Sequence, residues 1–320
     1  MTEAANSLEY RLLRWSDIPS YLSVVLQAVG KLERSTGLDR SAEKMVRSLS
    51  RRSLWTLLRF SQLIGRPVAQ IFVAVDESRV VSTGTLLRIR NAAYVAGIAT
   101  DAAYRGRGIA SQVLTLLQKD AARRQQEWLV LDVESENETA IRVYRRAGYR
   151  EAARFTWYLR TGVPPTTSPL PPGARPAKGS ELDEVMPRLD AARSAEYRTA
   201  LSSTRRRISH NEILAGGFRS RRETWILRTL SGSPLVLRVS YAPDREAPMG
   251  VYYPLSGPTP PTLEEAAAVL DRGSEWLRPQ APKTCLAVVP EPTGTMGAAL
   301  EGLGFASVAS SVTMVRSSSA

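Results

Sequence analysis

A chain of 320 residues with 43% hydrophobic and 23% charged side chains has the make-up of a globular protein, and its length suits two domains better than one. No apolar run approaches a membrane span, Met1–Asp17 lacks the apolar stretch a signal peptide needs, and a single cysteine, Cys285, leaves no intrachain disulfide, so a cytoplasmic setting is the simplest expectation. The formal net charge of +12 attracts polyanions, whether nucleic acid, an anionic membrane surface or a phosphate-rich ligand, and does not choose among them.

Leu8–Leu13 reads as a short strand. Ser16-Asp17-Ile18-Pro19 reads as a helix start, with a capping side chain and an early proline, and the helix continues through Leu22, Val25, Leu26 and Val29. A more basic helical stretch covers Ala42–Leu63, with Arg47, Arg51, Arg52 and Arg59 on it. Ile71–Val75, Val80–Arg88 and Ala92–Thr100 read as three strands, with turns at Asp76–Arg79 and Arg90-Asn91. Gly108–Arg123 is an amphipathic helix with Ile109, Val113, Leu116 and Leu117 near one face. Trp128–Val133 then reads as strand, Glu138–Arg146 as helix and Tyr149–Arg160 as strand. The fold class expected is mixed α/β.

From Val163 to Gly173 prolines at 164, 165, 169, 171 and 172 remove backbone donors and favour extended chain. This Pro-rich stretch, 163–174, is expected to link a first domain, 1–162, to a second, 175–320. A spacing of 156 residues brings Gly148-Tyr149 onto Gly304-Phe305, Leu129–Val133 onto Cys285–Val289, Val113-Leu114 onto Val269-Leu270 and Leu159-Arg160 onto Val315-Arg316. One register kept across several elements points to an internal duplication of a single α/β unit.

Two segments carry chemistry. In Ile98-Ala99-Thr100-Asp101-Ala102-Ala103-Tyr104-Arg105-Gly106-Arg107-Gly108-Ile109-Ala110-Ser111 a strand ends and a glycine-bearing turn opens directly into a helix. Unpaired N–H groups and the helix dipole make such a turn a diphosphate site, and glycines let the backbone approach the ligand. In Asn137-Glu138-Thr139-Ala140-Ile141-Arg142-Val143-Tyr144-Arg145-Arg146-Ala147-Gly148-Tyr149, Asn137 is a fitting N-cap and Gly148 a fitting C-terminal glycine. Tyr144 then either packs half-buried or aims its phenol at a ligand.

Together the two segments resemble the GNAT superfamily of N-acetyltransferases. Arg105, Gly108 and Ala110 match that family's Arg-x-x-Gly-x-Gly/Ala turn, and Asn137, Ala140, Tyr144, Arg146, Gly148 and Tyr149 match its Asn-x-x-Ala-x-x-x-Tyr-x-Lys/Arg-x-Gly-Phe/Tyr helix at every spacing. The resemblance covers roughly residues 8–160, and the weaker repeat extends it to two GNAT-like domains, each a mixed, mostly antiparallel twisted sheet flanked by helices. It implies acetyl-CoA as co-substrate, with no metal. The diphosphate would rest on the N–H groups of Arg105, Gly106, Arg107, Gly108, Ile109, Ala110 and Ser111, and the pantetheine arm would pair with Ile98, Ala99 and Thr100. An amine would attack directly, with a backbone N–H of the fourth strand serving the developing oxyanion. Tyr144 would be the general acid toward the departing thiolate, and Asn137 would hold the cofactor or a water. Ala92–Thr100 carries no acid where many members have a glutamate. Asp101, Asp132, Glu134 and Glu136 are near in sequence but at no matched position, so the general base is unassigned.

At the same spacing Arg105 falls on Pro261, Gly106 on Thr262, Gly108 on Glu264, Asn137 on Thr293 and Tyr144 on Leu300. Prolines offer no donors, a glutamate repels a diphosphate and leucine gives no proton. The second half is therefore expected not to bind CoA, which leaves it the roles of scaffold, lid over the acceptor site, or surface of a homodimer. Its arginines at 205–207, 219, 221 and 222 read as a solvated basic loop or an anion contact, and His210 has no assigned role. The function expected is N-acetyl transfer to a primary amine of a small molecule, since tandem domains can enclose a deep pocket. Protein N-terminal or lysine acetylation is the alternative, because the motif helix is shared. Membrane partners are not expected. Non-catalytic nucleic-acid binding is disfavoured by the lack of aromatics among the basic clusters, and CoA sensing without turnover by the retention of Tyr144.

Overall fold

A computed structural model describes residues 8–27, 69–89, 92–166, 175–191, 193–201, 221–243 and 248–318. The basic stretch Ala42–Leu63, the turn Arg90-Asn91, most of the Pro-rich linker, Arg205-Arg206-Arg207, His210 and Arg219 lie outside those residues. Contacts gather the chain into two compact units. The first is Met1–Val133, Asn137–Arg150 and Met314–Ala320, and the second is Glu134–Glu136 and Glu151–Thr313.

In the first unit five strands stand in the order β1 (Glu9–Leu12), β2 (Ala69–Asp76), β3 (Arg79–Ile89), β4 (Ala92–Thr100) and β5 (Trp128–Glu134). The first four pair antiparallel and β4 pairs parallel with β5. Helix α1 (Ile18–Gln27) follows a short turn whose Asp17 carboxylate accepts from the Arg14 N–H, and it packs Tyr21 and Val24 on Val73, Val75 and Ala99. Helix α2 (Ile109–Arg123) covers the other face, burying Ile109, Val113, Leu114, Leu117 and Ala121 at helical spacing. It lies close to β3 because that strand has a glycine there. A Cβ on Gly84 would come within 2.7–2.9 Å of Ile98, Leu117 and Val113 side-chain carbons. Helix α3 (Glu138–Arg146) joins it on this face, where the Gln118 amide donates to the Ala147 carbonyl at 3.2 Å.

In the second unit the strand order is β6 (Arg150–Thr161), β11 (Thr284–Pro290), β10 (Met249–Ser256), β9 (Pro234–Ala242), β8 (Arg221–Arg228) and β7 (Arg175–Pro176). Again one central pair, β10 with β11, is parallel and the others are antiparallel. Helices α4 (Gly179–Ala191) and α5 (Ala195–Leu201) lead into it, and α6 (Leu263–Leu277) and α7 (Gly294–Gly302) cover the main core. Here the small residue is on the helix: Gly273 of α6 faces Leu237, Val239 and Tyr252, at the position whose counterpart in α2 is Leu117. In the first unit the small residue is thus on the strand, and in the second on the helix.

The duplication keeps register through whole elements. The same 156 residues separate Trp128 from Thr284, Glu138 from Gly294 and Arg150 from Ala306, the first residues of β5 and β11, α3 and α7, and β6 and β12 (Ala306–Ser317). The helix ends match too. Gly148 and Gly304 have positive φ and donate to Arg145 and Glu301, while Tyr149 and Phe305 donate back to Tyr144 and Leu300 at 3.0 Å.

The last strand of the first half, β6, falls in the second unit, and the end of β12 falls in the first. β6 precedes the linker, yet it pairs with β11, and Arg160 on it donates to the Leu303 carbonyl at 2.7 Å, where α7 ends. Met314–Ala320, at the other end of the chain, falls in the first unit. There Ser318 donates to the Glu127 carbonyl, and Arg316 lies against Gly148 at the end of α3. Contact therefore divides the chain differently from the continuous blocks 1–162 and 175–320 read from the sequence.

Candidate active site

The site of the first unit begins where β4 and β5 part. Their parallel pairing runs only through Ala92–Trp128, Ala93–Leu129 and Tyr94–Val130. Beyond it β4 shifts register against β3, three residues from Ala96 to Ala99 spanning two from Thr85 to Thr83, with Gly97 at φ 59°. This bulge bends the strand away from β5 and re-aims its side chains. Ile98 turns onto Gly84 under α2, while Ala99 joins the core under α1. Ser82 holds the far end, donating to the Ala99 carbonyl at 2.8 Å and meeting the Thr100 hydroxyl at 2.9 Å. Ile98-Ala99-Thr100 therefore faces the fork with an edge that β5 does not take up.

The turn that follows is built to stay open. Gly106 and Gly108 lie at φ 77° and 75°, conformations that cost a side chain strain, and a Cβ on either would meet nothing within 4 Å. Gly108 is the N-cap of α2 and has no side chain to close it. Among the described residues the N–H groups from Gly106 to Ser111 find no acceptor; the first to bond is that of Gln112, to the Gly108 carbonyl at 3.2 Å. Around them the Arg105 side chain donates to the Thr100 carbonyl at 3.1 Å. Arg107 donates to the Ala103 carbonyl and stacks 5.0 Å from the Tyr104 ring centre. The result is a concave row of donors at the positive end of a helix, flanked by two guanidinium groups, suited to a diphosphate.

Asn137 caps α3, its side-chain oxygen accepting from the Ala140 N–H at 3.1 Å, so only its amide donors remain for a ligand. Tyr144 is buried, with its ring 6.0 Å from that of Tyr149, and burial pushes its phenol up to about 12. It keeps its proton throughout the neutral range.

Two residues that the sequence left unused meet at the fork. Tyr94 belongs to the last β4–β5 pair, and its hydroxyl donates to Asp132 Oδ2, two residues further along β5, at 3.0 Å. Burial first and the Asp132 charge next push the Tyr94 phenol well above its ordinary value, and Tyr144 adds to the rise. A carboxylate inside an otherwise apolar strand, Leu129-Val130-Leu131-Asp132-Val133, was the signal in the sequence. Asp101 is committed elsewhere: it caps the Ala102–Tyr104 turn and pairs with Arg79 at 2.6 Å.

At the matching place in the second unit the chain closes its own helix. Helix α6 begins two residues earlier than α2, with Thr262 as N-cap where the first unit has Gly106. Thr262 Oγ1 accepts from the Glu265 N–H, and the Glu265 carboxylate accepts from the Thr262 N–H at 2.8 Å and from the Leu230 N–H at 2.6 Å. Burial alone would raise the Glu265 carboxyl, but these backbone donors outweigh it and hold it below its ordinary value. Thr293 stands where Asn137 does and makes no side-chain cap, and Leu300 lies fully buried where Tyr144 would be.

Comparison with known proteins agrees with this geometry. Residues 39–149 match the acetyltransferase (GNAT) family model. The chain carries a GNAT acetyltransferase domain. The matched segment is an acyltransferase domain, and the two-unit fold recurs in solved structures along the whole length. A tandem GNAT protein from the clavulanic acid biosynthesis pathway is 16% identical, with 98% of this chain and 99% of that one covered at a TM-score of 0.54. A GCN5-related N-acetyltransferase from Sphaerobacter thermophilus is 14% identical, with 97% and 96% covered at 0.56. A putative acetyltransferase from Pyrococcus horikoshii is 13% identical, with 99% and 91% covered at 0.54. At such identities the likeness is one of fold, a tandem GNAT arrangement. No curated protein matches the sequence. Among the described residues no helix is long and apolar enough to cross a membrane.

Proposed function

We propose that the first unit moves an acetyl group from acetyl-CoA to a primary amine of a small molecule. The open row of N–H groups from Gly106 to Ser111, with the free edge of β4 leading away from it, carries this reading. The residues present fit the co-substrate: an uncrowded donor cradle for a diphosphate and an unpaired strand edge for an amide-bearing arm. Bound there, acetyl-CoA supplies a thioester-activated acetyl group.

The chain's residues divide the remaining work. Gly106–Ser111, with Arg105 and Arg107 beside them, hold the diphosphate, and Ile98-Ala99-Thr100 aligns the arm toward the fork. A primary amine is mostly protonated at neutral pH and must lose that proton before it can attack. Asp132, oriented by the Tyr94 hydroxyl, is the carboxylate at the fork that accepts it. Tyr144 presents its proton to the sulfur. Its pKa of about 12 lies above the ordinary thiol range, so complete transfer would be uphill and the phenol acts chiefly by hydrogen bonding. Asn137 offers its amide donors at the mouth of α3.

The second unit takes no CoA in this reading. Its Glu265 carboxylate occupies the helix N-terminus that a diphosphate would need. Thiol release from acetyl-CoA, followed across a panel of primary amines and peptides, tests the activity. Release with small amines is expected. Release with peptides alone would reject the small-molecule acceptor, and release with neither would reject the proposed reaction.

A further inference from the structure

At the far end of α2 lies a second polar cavity, of about 350 Å³. A helix of 15 residues is about 22 Å long, so this cavity is well removed from the donor row at Gly106–Ser111. Arg88 on β3 and Arg123 and Arg124 at the end of α2 line it, over a floor that includes Leu86, with Gln70 from β2 and Gln126 from the following loop. Arg124 is partly neutralised by Asp120, at 2.7 Å. Arg88 and Arg123 have no ion-pair or hydrogen-bond partner among the described residues.

The two glutamines make this more than a basic surface. Each is only 5% exposed. Gln126 Oε1 is buried without a partner, and its amide nitrogen reaches the Arg124 carbonyl only at 3.5 Å. The Gln70 carboxamide makes no hydrogen bond to a described residue, while its backbone lies in the ladder opposite Leu86. A buried amide oxygen left unsatisfied is costly and rare, so Gln126 Oε1 beside this cavity calls for a donor on whatever fills it, and Gln70 adds a second carboxamide to the lining. The turn that delivers Gln126 is itself strained, with Gln125 at φ 55°.

The second unit also shows that the fold does not require this set. Through the pairing Arg88–Ala93 and its counterpart Ala242–Met249, Ala242 takes the place of Arg88, while Pro279 and Gln280 take those of Arg123 and Arg124. A shared scaffold that carries the arginines in one copy alone points to a ligand rather than to folding.

We propose that this cavity binds a small oxyanion, a carboxylate or phosphate carried on a compact metabolite, with Arg88 and Arg123 on the charged group and Gln70 and Gln126 on its polar neighbours. The cavity holds a small molecule and is no groove for a nucleic-acid strand. The test uses the full chain and does not depend on CoA binding. Inorganic phosphate, citrate and a short single-stranded RNA are each titrated by calorimetry at constant ionic strength set with chloride, on the native chain and on R88A/R123A. Phosphate or citrate is expected to bind the native chain at millimolar concentration or below, and about tenfold or more weaker to the double variant. Both guanidinium groups are exposed, so the double variant should keep its melting temperature. Gln70→Met should weaken the same anion without lowering the melting temperature. Absence of binding by both anions, equal binding to native chain and R88A/R123A, or arginine-dependent binding of RNA alone would each overturn the proposal. A Gln70→Met chain that melts lower and binds unchanged would make that amide structural and would also overturn it.

Discussion

Replacing Tyr144 by phenylalanine isolates one hydroxyl. The ring is buried against Tyr149 and the hydroxyl has no partner among the described residues, so Tyr144→Phe should leave the fold and the acetyl-CoA affinity intact. What it removes is the donor aimed at the sulfur. A hydrogen bond to a charged group contributes about 1.5–3 kcal/mol, and each 1.36 kcal/mol is a factor of ten in rate, so the chemical step should slow about 10- to 150-fold. A larger loss, of about 10³-fold or more, belongs to a full general acid, which a phenol held near 12 is poorly matched to be at neutral pH. Single-turnover thiol release from the preformed acetyl-CoA complex, with an acceptor found by screening, reads the step directly. An unchanged rate would refute the placement of Tyr144 at the reacting sulfur.

Three further outcomes follow from the same contacts. Asp132→Asn should cut kcat at least 100-fold, as expected for loss of a general base, whereas Glu136→Gln should not; equal effects would unseat Asp132. Glu265→Gln weakens a carboxylate that accepts from two backbone N–H groups at a helix start; a loss of about 1 kcal/mol lowers the melting temperature by about 2–4 °C in calorimetry, with no second CoA site gained. Tyr144 should also register in alkaline unfolding. Its folded pKa of about 12 lies above the unfolded value near 10, so the neutral phenol favours the folded state; that stability is whole below about pH 10 and is lost as the pH rises toward 12. Denaturant titrations at pH 9 and pH 11 should show a smaller loss for Tyr144→Phe than for the native chain; equal losses would count against it.

Much of this was legible in the sequence, for local reasons. Helix α3 runs from Glu138 to Arg146 as read, because Asn137 and Gly148 fix its ends with side-chain and backbone chemistry that depends only on near neighbours. The strands β2 to β4 and the helix from Ile109 were equally plain in their periodicity and turns. The destination of β6 was not. It and β12 share length and register within the repeat, so alternation along either strand fits either sheet, and pairing at long range decides. The Tyr94–Asp132 contact was hidden for a related reason, since 38 residues and a helix separate its partners. The prolines ahead of Thr262 mark a turn poor in backbone donors, and the helix after it is capped. That Glu265, rather than the Glu264 singled out by spacing, closes it follows from the two-residue extension of α6.

The central claim, one working acyl-CoA site in a duplicated fold, is tested most directly by isothermal titration of the full chain with acetyl-CoA, fitting stoichiometry together with affinity. One molecule bound per chain, abolished by Gly108→Asp and unaffected by Glu265→Gln, is the predicted result. Two molecules per chain, or none, would contradict it.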